Sequence, residues 1–521
     1  MSKNLEQDRI TRIISGHPYV LTAILVLVTL VLTGMQLENN LVTVAIMILG
    51  YLAIIGYGIY LRQAKKLTTQ ALIVLIFALG FMLKIGYTLY SDITVRQNDL
   101  GAFEDGQYNL FHSGYILYIR DKMALPQADV TKLGQFYHPP FHHFVCAIFL
   151  KIYDLFLPEG THNYEVLQAL SLLWSQFAVI LLYRTVKLVG VKDEQLPLAA
   201  VLISAFPAFT IFAGSVNNDI LSVMLFLAAF YFGLKWFSEG AWKDIVLSAL
   251  AVGFGMMTKL SVGLIALPLG FLFIVKFIKD IKAKNGLKTF GKLATFGVIC
   301  APLGLWFHVR NYIRFGVPFG YVLRSDNIYQ DVSRYTTVQR LFGFYGFPIE
   351  DYYINLGSDG KQDYNIFSIL VKTALFGEEN YRDDFLMSIT GYFLLIVFLI
   401  VIAISVAGFI MSVITIRKRS NIWVELSLII LVAFEVFSII SFSLKYPHIC
   451  STNFRYCVPI LISGVVYYLR IHGIKLKGAN KDLVSKIVTV IGVAFFALAI
   501  LFYTILWTYV KGEVALVEAN W

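Results

Sequence analysis

The chain has 521 residues, of which 58% are hydrophobic and 15% are charged. A soluble domain carries about 25% charged residues, so this composition excludes a water-soluble globular protein. Four cysteines are too few for a disulfide framework. The net charge of +10 comes from Lys and Arg that concentrate in short segments between apolar runs, which is the pattern of cytoplasmic loops. The charge therefore indicates membrane topology and no nucleic-acid partner.

Apolar runs long enough to cross a hydrocarbon core of about 30 Å recur along the whole chain. We predict an all-α, multi-pass protein of the plasma membrane, embedded in lipid, with about thirteen spans. The spans lie near 19–35, 41–61, 70–90, 165–189, 196–213, 217–238, 242–258, 260–278, 290–308, 387–415, 421–443, 455–470 and 484–508. With a cytoplasmic N-terminus, every strongly basic loop lies inside and the C-terminus is extracellular.

A further apolar run, about 139–157, does not fit as a crossing. Counting it would invert every later loop and put the basic segment Arg417–Arg419 outside. We therefore expect an interfacial or re-entrant helix on the outer face.

The spans divide the chain into four predicted parts. These are two additional N-terminal transmembrane helices (1–69), a core (70–312) with a first outer loop (91–138) and the interfacial helix (139–157), a Tyr-rich second outer loop (313–386), and C-terminal transmembrane helices (387–521). Loops this long within a compact bundle are usually functional. We expect any chemistry to lie at the outer face, near these two loops.

The first outer loop carries a carboxylate, Asp99, directly after a span. Such a group can act as the general base for an acceptor hydroxyl. It can also cap the first helix of the loop, and the spacing leaves both interpretations open. Arg96, Glu104, His112 and His138 are further candidates in this loop for contact with a substrate.

The histidines of this loop raise the question of a metal site. His138 and His142 are four residues apart, as ligands on one helical face would be. No Glu lies between them, and Pro139-Pro140 interrupts a helix at its start. We expect no metal here and interpret the histidines as side chains packed beneath the bilayer surface.

Three cations lie at outer ends of spans: Lys259, Arg310 and Arg455. Charges at such depth are costly and usually mark function or a specific partner. A lipid phosphate is a natural partner, to which Arg offers bidentate contacts, although snorkelling to phospholipid headgroups is the alternative.

Two other polar positions stand out in the spans. Asn218 and Asp219 open a span from the outer side, either as ordinary helix-start residues or as part of a site. Glu435 lies well inside a span, where its carboxyl should be protonated or paired, and it has no assigned role.

In order and spacing, these motifs cover roughly residues 70–470. They are Asp99, His138-Pro139-Pro140-Phe141, Asn218-Asp219, Thr258-Lys259, Arg310-Asn311 and Phe454-Arg455-Tyr456-Cys457-Val458-Pro459. The chain thereby resembles the GT-C superfamily of membrane glycosyltransferases. It is most similar to the bacterial branch that is related to dolichyl-phosphate-mannose protein mannosyltransferases and lipid A aminoarabinose transferases. The resemblance implies a GT-C-type helix bundle whose outer loops carry interfacial helices.

Members of this superfamily pass a sugar from a polyprenyl-phosphate carrier to a hydroxyl on the outer side of the membrane. The resemblance implies Asp99 as the base of an inverting single displacement. It implies Lys259, Arg310 and Arg455 as cations that bind the lipid phosphate. No metal or other cofactor is required, because fixed cations can stabilise the leaving phosphate. The implied donor is a polyprenyl phosphate sugar, undecaprenyl in a bacterium, and the implied acceptor is a glycan, a glycolipid or a protein of the cell envelope.

Two features depart from the family pattern. Many relatives have a second acidic residue directly beside the first, whereas Leu100 follows Asp99 here, so either Glu104 or Asp105 substitutes for it or the feature is absent. The two spans before residue 70 are extra relative to the common core of the family.

Two other functions stay open. A lipid or glycolipid transporter or flippase tends to place ionisable groups near mid-membrane and to contain two repeats. Here the polar groups gather at one face, and Glu435 alone favours this alternative. A non-catalytic scaffold that uses the outer loops as docking surfaces is the other.

Overall fold

The computed structural model describes residues 8–34, 40–93, 99–108, 111–324, 327–344, 352–357, 362–381, 384–418, 421–475 and 482–509. Within these ranges the regular structure is helical, and the only β contacts are two isolated bridges. The α-helices of this part are α1 (Arg9–Gly16), α2 (Pro18–Gly34), α3 (Asn40–Gln63), α4 (Thr69–Tyr90), α5 (Phe111–Lys122), α6 (Phe141–Tyr153), α7 (Leu167–Leu188), α8 (Leu196–Ser204), α9 (Pro207–Gly214), α10 (Asp219–Glu239), α11 (Trp242–Met256), α12 (Ala266–Lys282), α13 (Gly286–Phe315), α14 (Thr337–Phe342), α15 (Ile366–Phe376), α16 (Phe385–Ile414), α17 (Ile422–Lys445), α18 (Leu461–His472) and α19 (Leu483–Tyr509).

Nine helices in the described ranges are long and apolar enough to cross a membrane, and three bent helix pairs would raise the number to twelve. The prediction of an all-α integral membrane protein is therefore confirmed. Twelve of the expected spans coincide with these helices and helix pairs.

The remaining expected span corresponds to α11, which has only 15 residues. It is short because Gly240, in the left-handed conformation, ends α10 just before it, and because the chain turns again at Met257 and Thr258. Lys259, just after α11, contacts Asp219 at the start of α10. The two helices therefore form a hairpin that brings the chain back to the face where α10 begins.

The segment expected to lie in the interface contains α6, which begins after Pro140 and has 13 residues. A helix of this length extends about 20 Å, which is less than the hydrocarbon core requires. The backbone N–H of Phe141 donates to the Met257 carbonyl at 2.9 Å. This bond attaches the start of α6 to the turn that precedes Lys259. The interfacial placement itself stays a prediction.

Arg455 lies in the last of the three bent helix pairs along the chain. The two segments of this pair, Ile449–Tyr456 and Val458–His472, are inclined to each other by 42°. Pro459 lies in the first turn after the bend, where its missing backbone N–H breaks no helical hydrogen bond. The bend leaves Phe454–Tyr456 as a short 3₁₀ segment at the end of the bundle.

The second outer loop packs against the residues that precede the 3₁₀ segment Phe454–Tyr456. A small buried cluster joins Val332, Ile354, Ile369 and Ile449. The backbone N–H of Val332 donates to the Pro447 carbonyl at 2.8 Å. These contacts hold the approach to Arg455 against the loop, so the loop helps to position that side chain.

Candidate active site

The central contact of the site joins the first outer loop to the 3₁₀ segment Phe454–Tyr456. Arg455 Nη2 donates to Asp99 Oδ2 at 3.0 Å. The Arg455 side chain is only 5% exposed, whereas that of Asp99 is 35% exposed. Part of the Asp99 carboxylate is therefore accessible to an incoming molecule, whereas the Arg455 guanidinium is enclosed.

A second carboxylate lies on the other side of the guanidinium. Arg455 Nη1 is 3.5 Å from Asp219 Oδ2, and Lys259 Nζ donates to Asp219 Oδ1. The Asp219 side chain is 3% exposed. Asp99, Arg455, Asp219 and Lys259 thus form a row of alternating charges, which we call the charge row.

The residues at the start of α10 hold Asp219 in position. The backbone N–H of Asp219 donates to Asn217 Oδ1 at 3.0 Å. Asn218 Nδ2 donates to the Thr258 carbonyl at 3.2 Å and does not cap α10. Asn218 therefore ties the start of α10 to the residue before Lys259, which keeps Asp219 and Lys259 together.

Tyr456 contacts both cations of the charge row. Arg455 Nη2 donates to the Tyr456 hydroxyl at 2.8 Å, and Lys259 Nζ lies 4.5 Å from the centre of the Tyr456 ring, a favourable cation–π distance. Burial lowers the pKa of Lys259, an effect that Asp219 opposes and Arg455 reinforces. Asp219 is therefore the main group that stabilises the Lys259 cation, against the cost of burial and the repulsion of Arg455.

The backbone of Asp99 is held in a sparsely populated conformation, with φ at 56°. An Asp tolerates this left-handed region better than most residues do. The Asp99 carbonyl accepts from the backbone N–H of His112 at 3.2 Å, and the Leu100 carbonyl accepts from that of Ser113 at 2.8 Å. In the described part of this loop the first helix is α5, which begins at Phe111, so Asp99 does not serve as its cap.

Glu378 was not anticipated from the sequence. Asn453 Nδ2 donates to Glu378 Oε1 at 2.7 Å, and Asn453 Oδ1 accepts from the backbone N–H of Arg455 at 3.0 Å. Burial raises the pKa of Glu378; the nearby Arg455 opposes this rise and Asp99 adds to it. The only sequence signal was an acidic pair, Glu378-Glu379, directly after an apolar run.

The histidines of the first loop stack behind the charge row. His112 Nδ1 and His143 Nε2 are 2.8 Å apart, and the rings of His112 and His138 are stacked with centres 5.6 Å apart. Burial, with a further contribution from Lys259, lowers the pKa of His138 to about 3, so this imidazole is neutral at physiological pH. Across the described ranges, no group of three or more His, Cys, Asp or Glu side chains is placed to hold a metal ion.

Arg310 is not part of the charge row. Its Nη2 donates to the Pro126 carbonyl at 2.5 Å, and its Nη1 donates to Asn311 Oδ1 at 2.8 Å. Arg314, one turn later, donates to Gln127 Oε1 at 2.5 Å. Together they fasten the first outer loop to the end of α13.

The remaining candidates of the first loop lie apart from the charge row or outside the described residues. Arg96 belongs to the latter. Glu104 is exposed, and Asp105 forms an ion pair with Arg120 at 2.8 Å. The acidic groups that accompany Asp99 around Arg455 are instead Asp219, which contacts the guanidinium, and Glu378, which is linked through Asn453 to the backbone N–H of Arg455.

Two cavities lie beside the charge row. One, of about 400 Å³, is lined almost entirely by apolar side chains of α15–α18 and reaches Phe454 and Cys457, on either side of Arg455. The other, of about 20 Å³, is lined by Lys259, Arg455 and Glu435 among others. Glu435 of α17 is thereby brought close to the cations, a relationship that the sequence did not indicate.

Part of the chain is similar to a known protein family. Residues 137–306 match a family model described as dolichyl-phosphate-mannose-protein mannosyltransferase. The matched segment, less than half of the chain, contains Asp219 and Lys259 but neither Asp99 nor Arg455. No curated protein matches the chain. Over this segment the chain is similar to that family.

Proposed function

We propose that the protein is a glycosyltransferase that moves a sugar from a polyprenyl phosphate to an acceptor hydroxyl at the outer membrane face. The observation that carries this proposal is the position of Arg455 between Asp99 and Asp219, with Lys259 on the far side of Asp219. It provides an accessible carboxylate and two enclosed cations in one row. The family match over residues 137–306 supports the same class of reaction.

Asp99 is the better candidate for the general base of the two carboxylates that contact Arg455. Asp219 is 3% exposed and shared between Arg455 and Lys259, so it acts as their counter-ion. Asp99 is 35% exposed and accepts one bond from Arg455, which leaves oxygen lone pairs for an acceptor hydroxyl. An accessible carboxylate beside the reacting hydroxyl is what general base catalysis requires.

In the proposed reaction Asp99 takes the proton of the acceptor hydroxyl, and the hydroxyl oxygen of the acceptor attacks the anomeric carbon of the sugar. The bond between the anomeric carbon and the phosphate oxygen breaks, and the configuration of the sugar inverts. The departing lipid phosphate gains negative charge, which Lys259 and Arg455 stabilise because their positions are fixed before the reaction.

Arg455 has an unused donor for this phosphate. Its Nε is buried and has no hydrogen-bond partner within the described residues. A buried donor without an acceptor costs about 1–3 kcal/mol, and a phosphate oxygen would supply that acceptor. The apolar cavity beside Phe454 and Cys457 would then receive part of the polyprenyl chain.

The test uses purified protein in detergent with a panel of radiolabelled undecaprenyl-phosphate sugars. Release and transfer of sugar are followed for the wild type, for Asp99→Asn, and for Glu159→Gln as a control at an exposed carboxylate away from the charge row. We expect turnover by the wild type and the control and its collapse in Asp99→Asn. A fully active Asp99→Asn enzyme would contradict the proposal.

A lipid or glycolipid transporter is the second candidate function. It is favoured by Glu435, a 4% exposed carboxyl inside α17 that shares a small cavity with Lys259 and Arg455. Intramembrane carboxyls of this kind often belong to transport pathways. Movement of a fluorescent lipid phosphate between the leaflets of proteoliposomes, abolished by Glu435→Gln and without sugar transfer from any donor, would favour it.

A further inference from the structure

A groove of about 920 Å³ lies at the end of the bundle opposite the charge row. It opens between α1 and α2 on one side and α4, α7 and α10 on the other. Lys235, on its rim, is about 24 Å along α10 from Asp219, at 1.5 Å per residue. The groove is therefore remote from the proposed reaction.

The walls of the groove are apolar and its rim is basic. Side chains of α2 and α4 form the walls, among them Leu21, Leu25 and Phe77. Arg184 and Lys187, from the last turns of α7, lie at the rim. The groove therefore combines a surface suited to acyl chains with a cationic edge.

The rim carries uncompensated positive charge. Lys235 lies 3.5 Å from Glu239 and 3.6 Å from Asp244, so two carboxylates outweigh its positive charge. Arg184 and Lys187 have no carboxylate within ion-pair distance in the part of the chain that the structure describes. Arg184 instead lies over the ring of Tyr19, 4.7 Å from its centre, which fixes the guanidinium at the rim.

Helix α1 lies across the end of α2 beside this rim. It is inclined by 92° to α2, and its residues Ile14 and Ser15 line the groove. Arg9 and Arg12 of α1 are exposed. A short helix with basic and apolar sides that runs across a span is suited to the headgroup level.

We propose that this groove binds one anionic phospholipid of the cytoplasmic leaflet. Its acyl chains lie against α2 and α4, and its phosphate is held by Arg184 and Lys187. A zwitterionic lipid would leave the net charge of the two cations unbalanced, whereas an anionic headgroup offsets part of it. The cytoplasmic side follows from the predicted orientation, in which the basic loops lie inside. Because this site is remote from the charge row, its test does not depend on the proposed transferase activity.

Native mass spectrometry of the detergent-purified full chain provides the test. Wild type and variants are titrated with phosphatidylglycerol, phosphatidylcholine and undecaprenyl phosphate. The first variant is Arg184→Gln with Lys187→Gln. Its control is Lys243→Gln with Lys288→Gln, which removes the same charge from exposed residues that do not line the groove.

We expect the wild type and the control to retain one phosphatidylglycerol. The first variant should bind it with an affinity on the order of 30-fold lower, because each cation near a headgroup contributes about 1 kcal/mol. Equal retention by all three proteins would overturn the proposal. So would equal retention of phosphatidylcholine, or one-for-one displacement by undecaprenyl phosphate, which would assign the groove to a polyprenyl lipid.

A second variant keeps the proposal testable if the first does not fold. Ala78→Phe, on the α4 wall of the groove, fills the space for an acyl chain and leaves both cations in place. We expect it to lose the bound phosphatidylglycerol while its thermal unfolding midpoint stays near that of the wild type. Unchanged retention in this folded variant would contradict the assignment.

Discussion

Arg455 Nη2 and Asp99 Oδ2 are 3.0 Å apart, although 356 residues separate them in the chain. The contact joins the first outer loop to the bend before α18. It also gives the guanidinium two carboxylate partners, since Asp219 lies 3.5 Å from Nη1. The two carboxylates differ in exposure, and this difference predicts that their substitutions will have separable effects.

Replacement of Asp219 should mainly reduce stability. Asp219→Asn removes a 3% exposed carboxylate that contacts two cations, and loss of one partner from a buried ion pair costs about 3–5 kcal/mol. Asp99→Asn removes a 35% exposed partner, for which about 1 kcal/mol or less is expected. Thermal unfolding in one detergent should give a much lower midpoint for Asp219→Asn than for Asp99→Asn. Equal midpoints would mean that Asp219 is not the counter-ion of the charge row.

The Glu378 carboxyl should make stability depend on pH. Its pKa in the folded protein is raised above the ordinary value of 4.5, chiefly by burial. The folded state therefore holds this proton more tightly than the unfolded state does. The stability that the group contributes is present below its unfolded pKa and is lost as the pH rises through its folded pKa.

Glu378→Gln isolates this effect, because its amide oxygen can still accept the hydrogen bond from Asn453. We expect the wild type to lose stability, relative to this variant, as the pH rises from below 4.5. If the unfolding midpoints of the wild type and Glu378→Gln change with pH in the same way, the pKa of Glu378 is not raised. Comparison with Glu378→Leu, which also removes the hydrogen bond, separates the charge from the bond to Asn453.

Arg310 is expected to hold the loop and not the lipid phosphate. Arg310→Gln removes the bond to the Pro126 carbonyl, so hydrogen exchange should become faster in the segment around Pro126. The transfer rate should fall less than in Arg455→Gln, since Arg310 does not contact the charge row. Arg324→Gln, at an exposed position, is the control. A loss of activity equal to that of Arg455→Gln, without faster exchange, would restore the phosphate role that the family resemblance implies.

The helices could be predicted because hydrophobic length is a local property. Each expected span is an apolar run that must satisfy its backbone hydrogen bonds internally within lipid. The exception is α11, which has only 15 residues because the chain turns at Met257 and Thr258. The contact between Asp219 and Lys259 beyond that turn is tertiary and leaves no pattern in the sequence.

The candidate site could be predicted in part. Asp99, Asp219, Lys259 and Arg455 stand out because charges at span ends are costly, and the structure brings these four together. Arg310 satisfies the same criterion, yet it contacts the backbone of Pro126, and such a partner leaves no sequence pattern.

Glu378 was missed for a related reason. It reaches Arg455 only through Asn453, and no spacing along the chain connects these residues. Arg96, also expected near the substrate, lies outside the described residues and stays a prediction.

The most direct test of the account is a double-mutant cycle on the single-turnover rate of sugar transfer. The rate is measured for wild type, Asp99→Asn, Arg455→Gln and the double variant with the radiolabelled donor that the wild type uses. If the two residues form one active site, each single change should lower the rate by about 100-fold or more. The double variant should then be little slower than the worse single variant, because residues that act as a unit are not additive. A near-wild-type rate in either single variant, or losses that multiply in the double variant, would contradict a shared catalytic role for Asp99 and Arg455.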